Sequence, residues 1–161
     1  MRIPKSLIVA MLALAACSTK PADSAAKPVA ETQARHPESG LPVVPLTVTH
    51  GSQRHAFRVE VARSEMEQAK GLMFRTQMGA DEGMIFPMQP PRLASFWMKN
   101  TVIPLDIIFI GADHRILNVA ANAVPYSETP IPSWGKAAAV LELNGGRAAA
   151  LGIDTGDRVD W

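Results

Sequence analysis

The chain has 161 residues and a formal net charge of +1, from 16 basic and 15 acidic side chains. This balance argues against nucleic acid as a partner, because binding to phosphates requires a basic face. The single cysteine excludes a disulfide within the chain. Any folded part must therefore be held together by its apolar core.

The first sixteen residues have the pattern of an export signal. Arg2 and Lys5 give a positively charged start, and residues 7–16 form an uncharged apolar run. That run is about ten residues long, whereas a membrane-spanning helix needs roughly 20. We predict a signal peptide over residues 1–16. Its removal takes away two basic residues, so the formal charge falls from +1 to −1.

The sequence Leu-Ala-Ala-Cys at 14–17 resembles the lipobox of bacterial lipoproteins. This resemblance implies that the Cys17 thiol carries a diacylglyceryl group and that cleavage occurs just before it. Each buried methylene of an acyl chain then contributes about 0.8 kcal/mol to membrane binding. Ser18 stands where Asp signals retention in the inner membrane, so the resemblance implies a location at the outer membrane, facing the periplasm. A lipid-bound Cys17 is excluded as a nucleophile or metal ligand.

Residues 17–42 are predicted to be a lipid-anchored flexible tether. They are rich in Ala, Pro, Ser and Thr and lack a large apolar cluster. Such a segment buries too little surface to offset the entropy lost on ordering. A single globular domain is predicted over residues 43–161, a length sufficient for one core.

The domain begins with two predicted strands, residues 43–50 and 55–62, joined by a hairpin loop. Ser64 has the character of a helix N-cap, and acidic residues follow in the first turn. The predicted helix runs to about Lys70 and ends at Gly71.

The remaining sequence predicts mostly short strands. They are residues 83–86, 93–99, 105–110, 115–122, 137–143 and 158–161. Residues 126–135 contain two prolines and predict a long loop, and residues 147–151 predict a short helix. The predicted fold class is mainly β, a β-sandwich or a small barrel-like sheet, with one or two short helices.

Four stretches of the domain carry a resemblance to a known family. They are Gly-Leu-Met-Phe-Arg at 71–75, Gly-Met-Ile-Phe at 83–86, Phe-Trp-Met-Lys-Asn-Thr at 96–101 with Ile-Pro-Leu-Asp at 103–106, and Val-Leu-Glu-Leu-Asn-Gly-Gly at 140–146 with Gly-Asp at 156–157. Together they resemble the bacterial and archaeal family called domain of unknown function 192, over roughly residues 59–159. The resemblance implies a compact, mainly β single domain, and it implies no reaction.

Two residues of the third stretch suggest a binding platform. In a strand, Trp97 and Lys99 point to one face, so an indole and an ammonium group would lie side by side. Such a pair suits an anionic or sugar-like ligand. The alternative for Trp97 is a place in the core.

Asp106 and Glu142 each interrupt an apolar strand, where a carboxylate is costly unless it is paired or hydrogen-bonded. Lys99, Arg75 or the backbone of the turn at Asn100 would satisfy Asp106. If the two carboxyl groups face each other, one of them has a raised pKa and can act as an acid. The alternatives are a loop-capping role for Asp106, an outward position for Glu142 on an edge strand, and a helix-end cap for Arg75.

Six of the eight methionines lie within one third of the chain. They are Met66, Met73, Met78, Met84, Met88 and Met98. Thioethers bind Cu(I), which prefers soft ligands. The alternative is that these side chains fill an irregular core.

The predicted function is a non-enzymatic binding or accessory module at the cell envelope, with a pocket for a small polar or anionic ligand or a peptide. The candidate pocket residues are Arg75, Trp97, Lys99, Asn100, Asp106 and Glu142. No cofactor is indicated, and the oligomeric state is left open. Two alternatives are a hydrolase or lyase that uses the paired carboxylates of Asp106 and Glu142, and a Cu(I)-binding protein that uses the methionines.

Overall fold

The structure is a computed structural model and describes residues 34–161. The predicted signal peptide, Cys17 and most of the predicted tether lie outside these residues and stay predictions. The strands are β1 (Val43–His50), β2 (Gln53–Val61), β3 (Glu82–Phe96), β4 (Leu105–Ile110), β5 (Ile116–Ala123), β6 (Ile131–Asn144) and β7 (Arg158–Asp160). The helices are α1 (Glu65–Lys70) and α2 (Arg147–Leu151).

All seven strands form one sheet, in the order β5-β4-β6-β3-β2-β1-β7. Every neighbouring pair is antiparallel except β2 and β3, which are parallel. The sheet is curled into a half-barrel, and its two edge strands meet at one end. There the Ile116 N–H donates to the Asp157 carbonyl at 2.9 Å, and the Val159 N–H donates to the His114 carbonyl at 2.8 Å. The prediction of a mainly β, barrel-like fold with two short helices is confirmed.

The core consists of two clusters on opposite faces of the sheet. The first draws on all seven strands and includes Leu141 and Leu143 of β6. The second involves β3, β4, β5 and β6, together with side chains from the connections, such as Leu72 and Met98. Because successive side chains of a strand alternate between faces, the central strands contribute to both clusters. This explains why all six residues of β4 are buried.

The two helices follow local signals in the sequence. At α1, the Ser64 side chain accepts from the Glu67 N–H and the Glu67 carboxylate accepts from the Ser64 N–H, which is a capping box. Gly71 ends α1, and α2 ends at Gly152 in the left-handed conformation. Within residues 34–161, neither helix is long and apolar enough to cross a membrane.

The predicted loop at residues 126–135 is wrong in its second half, because β6 already begins at Ile131. Pro132 lies opposite Ser95, where β3 and β6 pair irregularly. In this region side chains accept hydrogen bonds from backbone N–H groups, in place of part of the regular backbone pairing. Ser133 Oγ accepts from the Ala94 N–H at 2.9 Å, and the Asn118 side chain accepts from the Trp134 N–H at 3.0 Å.

The C-terminal part of the predicted tether, residues 34–42, contacts the domain. Residues 35 and 42 form an isolated bridge, and the segment between them is a turn. Polar side chains hold this turn to the domain. Glu38 pairs with the buried Arg75 (Oε2–Nε 3.2 Å), and the Ser39 hydroxyl donates to Glu60. Composition alone did not predict this, because the binding partners of the turn lie far away in sequence.

Gly83 allows a close approach between β3 and β6. A Cβ atom at this position would lie 2.5 Å from the Glu142 carbonyl oxygen and 2.9 Å from a methyl group of Leu143. We expect Gly83→Ala to lower the free energy of unfolding by about 1–3 kcal/mol, as overpacking in a core does. Urea denaturation measures this change.

Gly135→Ala is the matched control for Gly83→Ala. Gly135 lies in β6, the strand that pairs with β3, and an added Cβ there would meet only Leu117 atoms at 3.6–3.8 Å, an ordinary contact distance. Its free energy of unfolding should change little. Equal denaturation midpoints for Gly83→Ala and the wild type would contradict the proposed contact.

Candidate functional site

A cavity of about 410 Å³ opens between α1, the second half of β3 and the turn that follows β3. Six of its lining residues are buried: Leu72, Phe86, Met88, Ala94, Thr101 and Glu142. Lys70, Arg92, Leu93 and Trp97 are exposed at its rim, and Lys99 is half-buried. Three of the six predicted pocket residues, Trp97, Lys99 and Glu142, therefore share one cavity.

Trp97 and Lys99 form the predicted platform, although they do not lie in a strand. β3 ends at Phe96, so both residues belong to the turn beyond it. Lys99 Nζ lies 5.0 Å from the centre of the Trp97 ring, which is a cation–π contact. Trp97 is 47% exposed and so is not a core residue. Lys99 Nζ also lies 3.9 Å from the Glu128 carboxylate, an exposed pair.

Glu142 is the buried polar group of the cavity. It lies in β6 between β3 and β4, directly opposite Met84 and Ile107, so the alternative of an outward position on an edge strand is wrong. Its side chain forms no hydrogen bond or ion pair with any residue from 34 to 161, and burial raises its pKa to about 8. The carboxyl group is therefore mostly protonated at neutral pH and is able to donate a hydrogen bond.

Asp106 is a capping carboxylate, as the alternative to a place in the pocket had it, but it caps the end of β5 and the start of α2 and not the loop that precedes it. It is fully buried, and its two oxygens accept from three backbone N–H groups. The donors are Asn122 at 2.8 Å, Gly146 at 2.9 Å and Ala148 at 2.7 Å. Asp106 thus joins β4 to the end of β5 and to the start of α2, and it does not line the cavity.

Asp106 and Glu142 do not share a cleft, which contradicts the hypothesis of an acid–base pair. Asp106 lies opposite Leu143 across the β4–β6 ladder, whereas Glu142 lies opposite Ile107. Leu143 belongs to the first core cluster and Ile107 to the second, so the two carboxyl groups are on opposite faces of the sheet. The sequence alone did not reveal this, because it does not specify the register between strands.

Arg75 and Asn100 also lie outside this cavity. Arg75 is buried and pairs with Glu60 at 2.9 Å, so the prediction that it belongs to the pocket is wrong for this cavity. It lines a second cavity of about 430 Å³ on the other side of α1. Asn100 has a left-handed backbone (φ 55°), and its carbonyl accepts from the Phe74 N–H at 2.8 Å. Asn100 therefore shapes the turn that carries Lys99.

Sequence reasoning missed two basic residues of the cavity, Lys70 and Arg92. Lys70 is the last residue of α1, where a cation is expected for the helix dipole alone. Arg92 follows the prolines of β3. Each looks like an ordinary surface residue in the sequence, and only the bend of β3 beside α1 brings them to one rim.

The methionines mostly occupy core positions. Met84 and Met98 are fully buried and Met88 is nearly so, all within the second core cluster, while Met66 is exposed. These positions favour the packing alternative over Cu(I) binding. Between residues 34 and 161, no group of three or more His, Cys, Asp or Glu side chains is arranged to hold a metal ion.

The fold and the first cavity define this domain as a small curled sheet with a partly apolar, basic-rimmed pocket beside α1. The chain belongs to the family called domain of unknown function 192 (DUF192, uncharacterized ACR), whose model matches residues 46–161.

Two solved structures are similar to this chain. A protein of unknown function from Novosphingobium aromaticivorans DSM 12444 is 61% identical, with a TM-score of 0.79, over 89% of this chain and 99% of that one. A protein from Sinorhizobium meliloti 1021, described as a candidate transcription regulator, is 40% identical, with a TM-score of 0.73, over 74% of this chain and 94% of that one. No curated protein matches this chain.

Removing the Asp106 carboxylate should destabilise the domain. Asp106→Ala leaves three backbone N–H groups without their acceptor, and we expect a loss of about 3–5 kcal/mol in the free energy of unfolding. Chemical denaturation checks this. Asp113→Ala is the control, because Asp113 accepts a single hydrogen bond in an exposed turn. A similar small loss in both variants would contradict the capping role.

Glu142 should make stability depend on pH. Its pKa is about 8 in the folded chain against an ordinary value of 4.5, so its protonated form is favoured by folding. Its contribution to stability is complete below pH 4.5 and is lost as the pH rises towards 8. Between pH 5 and 8 the melting temperature of the wild type should fall, relative to Glu142→Gln, by at least about 5 °C. If the melting temperatures of the two proteins changed equally with pH across this range, that result would contradict the raised pKa of Glu142.

Proposed function

We propose that this domain is a non-enzymatic binding module whose cavity holds a small anionic ligand with a ring or another flat apolar part. The observation that carries the proposal is the charge of the lining. Lys70, Arg92 and Lys99 contribute three positive charges. Glu142 is the sole acidic residue among the described residues that line this cavity, and it is mostly neutral below pH 8.

The apolar part of the lining supports a ring-shaped ligand. Trp97 presents an indole that is 47% exposed beside Lys99, and Phe96 stands next to it in the chain. Leu72, Phe86 and Met88 form buried apolar walls. A volume of about 410 Å³ lies within the common range of small-molecule pockets, and a mixed apolar and polar lining is typical of them.

The location of the module is a further part of the proposal. Lipid on Cys17 would anchor the protein at the cell envelope, with the domain facing the periplasm. Ala34, the first described residue, lies 17 positions after Cys17, and a fully extended chain over 17 positions spans at most about 60 Å. Ala34 would then lie within this distance of the membrane surface.

Binding of 2-naphthalenesulfonate tests the proposed function. This probe combines a flat ring system with an anion that stays ionised at all working pH values. Isothermal titration calorimetry at low salt should detect binding to the wild type. Lys99→Gln and Arg92→Gln should each weaken it about two- to fivefold, and Trp97→Leu about tenfold. Added salt should also weaken the affinity, because Lys70 and Arg92 are exposed and Lys99 is only half-buried.

Arg54→Gln is the matched control for these variants. Arg54 is exposed at the hairpin between β1 and β2 and does not line the cavity. The affinity of the Arg54→Gln variant for the probe should equal that of the wild type. Failure of the wild type to bind, or equal affinities in all four variants, would overturn the proposal.

A further inference from the structure

We propose that Glu142 selects the ligand: its carboxyl group donates a hydrogen bond to a carbonyl-like acceptor at the inner end of the ligand, while the anionic group of the ligand stays at the basic rim. This inference rests on the proposed function and names the ligand class of the same cavity. The ligand would be an anion that carries a neutral acceptor on the far side of its apolar part.

The position of Glu142 supports this role. Across the two ladders its neighbours are Met84 and Ile107, which are both apolar and fully buried. The adjacent residues Leu141 and Leu143 belong to the core cluster on the other face of the sheet. No group within residues 34–161 donates to or accepts from the carboxyl, although Glu142 lines the cavity. Because Glu142 lines the cavity, an acceptor bound there can reach its carboxyl group and pair with it.

The charged groups around the cavity leave the carboxyl group protonated. They are Lys70 from α1, Arg92 from β3 and Lys99 from the turn after β3. β4 brings only the apolar Ile107 next to Glu142. A close cation would lower the pKa of Glu142, but burial alone acts on it and raises the pKa to about 8. The amide N–H group of Gln68, which also lines the cavity, is engaged elsewhere, since it donates to the carbonyls of Ala62 and Pro87.

The basic rim decides between two kinds of ligand. A cationic group on the ligand would pair with an ionised Glu142, but to do so it must pass three positive side chains. An anionic ligand that carries a neutral hydrogen-bond acceptor meets no such repulsion from these side chains. The lining therefore favours an anion with a neutral acceptor over a cation or a zwitterion.

A matched pair of probes tests this inference. They are 6-acetyl-2-naphthalenesulfonate and 6-ethyl-2-naphthalenesulfonate, which differ only in the carbonyl oxygen. At pH 6 to 7 the acetyl probe should bind the wild type about tenfold more tightly, because a site built around a donor discriminates against a ligand without the acceptor. Above pH 8 the donor is lost, so this preference should fall by up to about tenfold for each pH unit until both probes bind alike.

Two variants distinguish the hydrogen-bond donor at position 142 from the ionisation of the Glu142 carboxyl group. Glu142→Gln keeps an N–H donor that does not titrate, so its preference for the acetyl probe should persist from pH 6 to 9. Glu142→Leu removes the donor, and its preference should vanish at every pH. Glu65→Gln, a change at an exposed carboxylate outside the cavity, should behave as the wild type does. The thermal unfolding of each variant, followed by circular dichroism, shows that it is folded.

Each outcome bears on one claim. Equal binding of the two probes at all pH values, with Lys99→Gln still weakening both, would overturn the role of Glu142 and leave the binding module intact. Absence of binding by either probe would overturn the proposed function itself. Tighter binding of 6-aminomethyl-2-naphthalenesulfonate than of the acetyl probe would overturn the role of Glu142 as a donor, because it would show pairing with an ionised carboxylate.

Discussion

The pairing of β3 with β6 is the interaction on which the rest of the structure depends. From Gly83 to Pro87 the two strands form a regular antiparallel ladder, which places Glu142 opposite Met84. The register then shifts, and pairing resumes at Arg92 opposite Ala137. Four residues of β3 thus face a single residue of β6. Such a bulge bends a strand, and the cavity lies on this bend, between Met88 and Arg92.

The two buried carboxyl groups show how register assigns different roles to similar residues. Asp106 and Glu142 lie on adjacent strands, one step apart in pairing, yet they face opposite sides of the sheet. Asp106 has three backbone donors and holds β4, β5 and α2 together. Glu142 has no partner among the described residues and borders open space. One carboxyl group supports the architecture, and the other is available to a ligand.

Local signals predicted much of the fold. The bounds of α1, β4 and α2 follow from a capping serine, a run that is apolar except for Asp106, and paired glycines, because these signals act within a few residues. The start of β6 did not follow, because Pro132 breaks the strand pattern. Next to it, the side chains of Ser133 in β6 and Asn118 in β5 accept from backbone N–H groups, and these contacts cannot be read from the local sequence. The length of β3 was missed for the same reason at Pro87.

The candidate site was predictable only in part. Trp97, Lys99 and Glu142 stood out because each is unusual in its local sequence. Asp106 stood out equally and proved to be a cap, since the fate of a buried carboxylate depends on which backbone donors the fold brings to it. Lys70 and Arg92 gave no signal, because a basic residue on a surface is the ordinary case.

The clasp formed by residues 34–42 has a mechanical consequence. Between Arg35 and Pro42 the chain folds back on itself, and Glu38 and Ser39 fasten it to Arg75 and Glu60. A pull on the N-terminus would therefore load these side-chain contacts before it reached the hydrogen bonds of β1. The clasp would open first and add several residues to the tether, while the sheet and the cavity kept their shape.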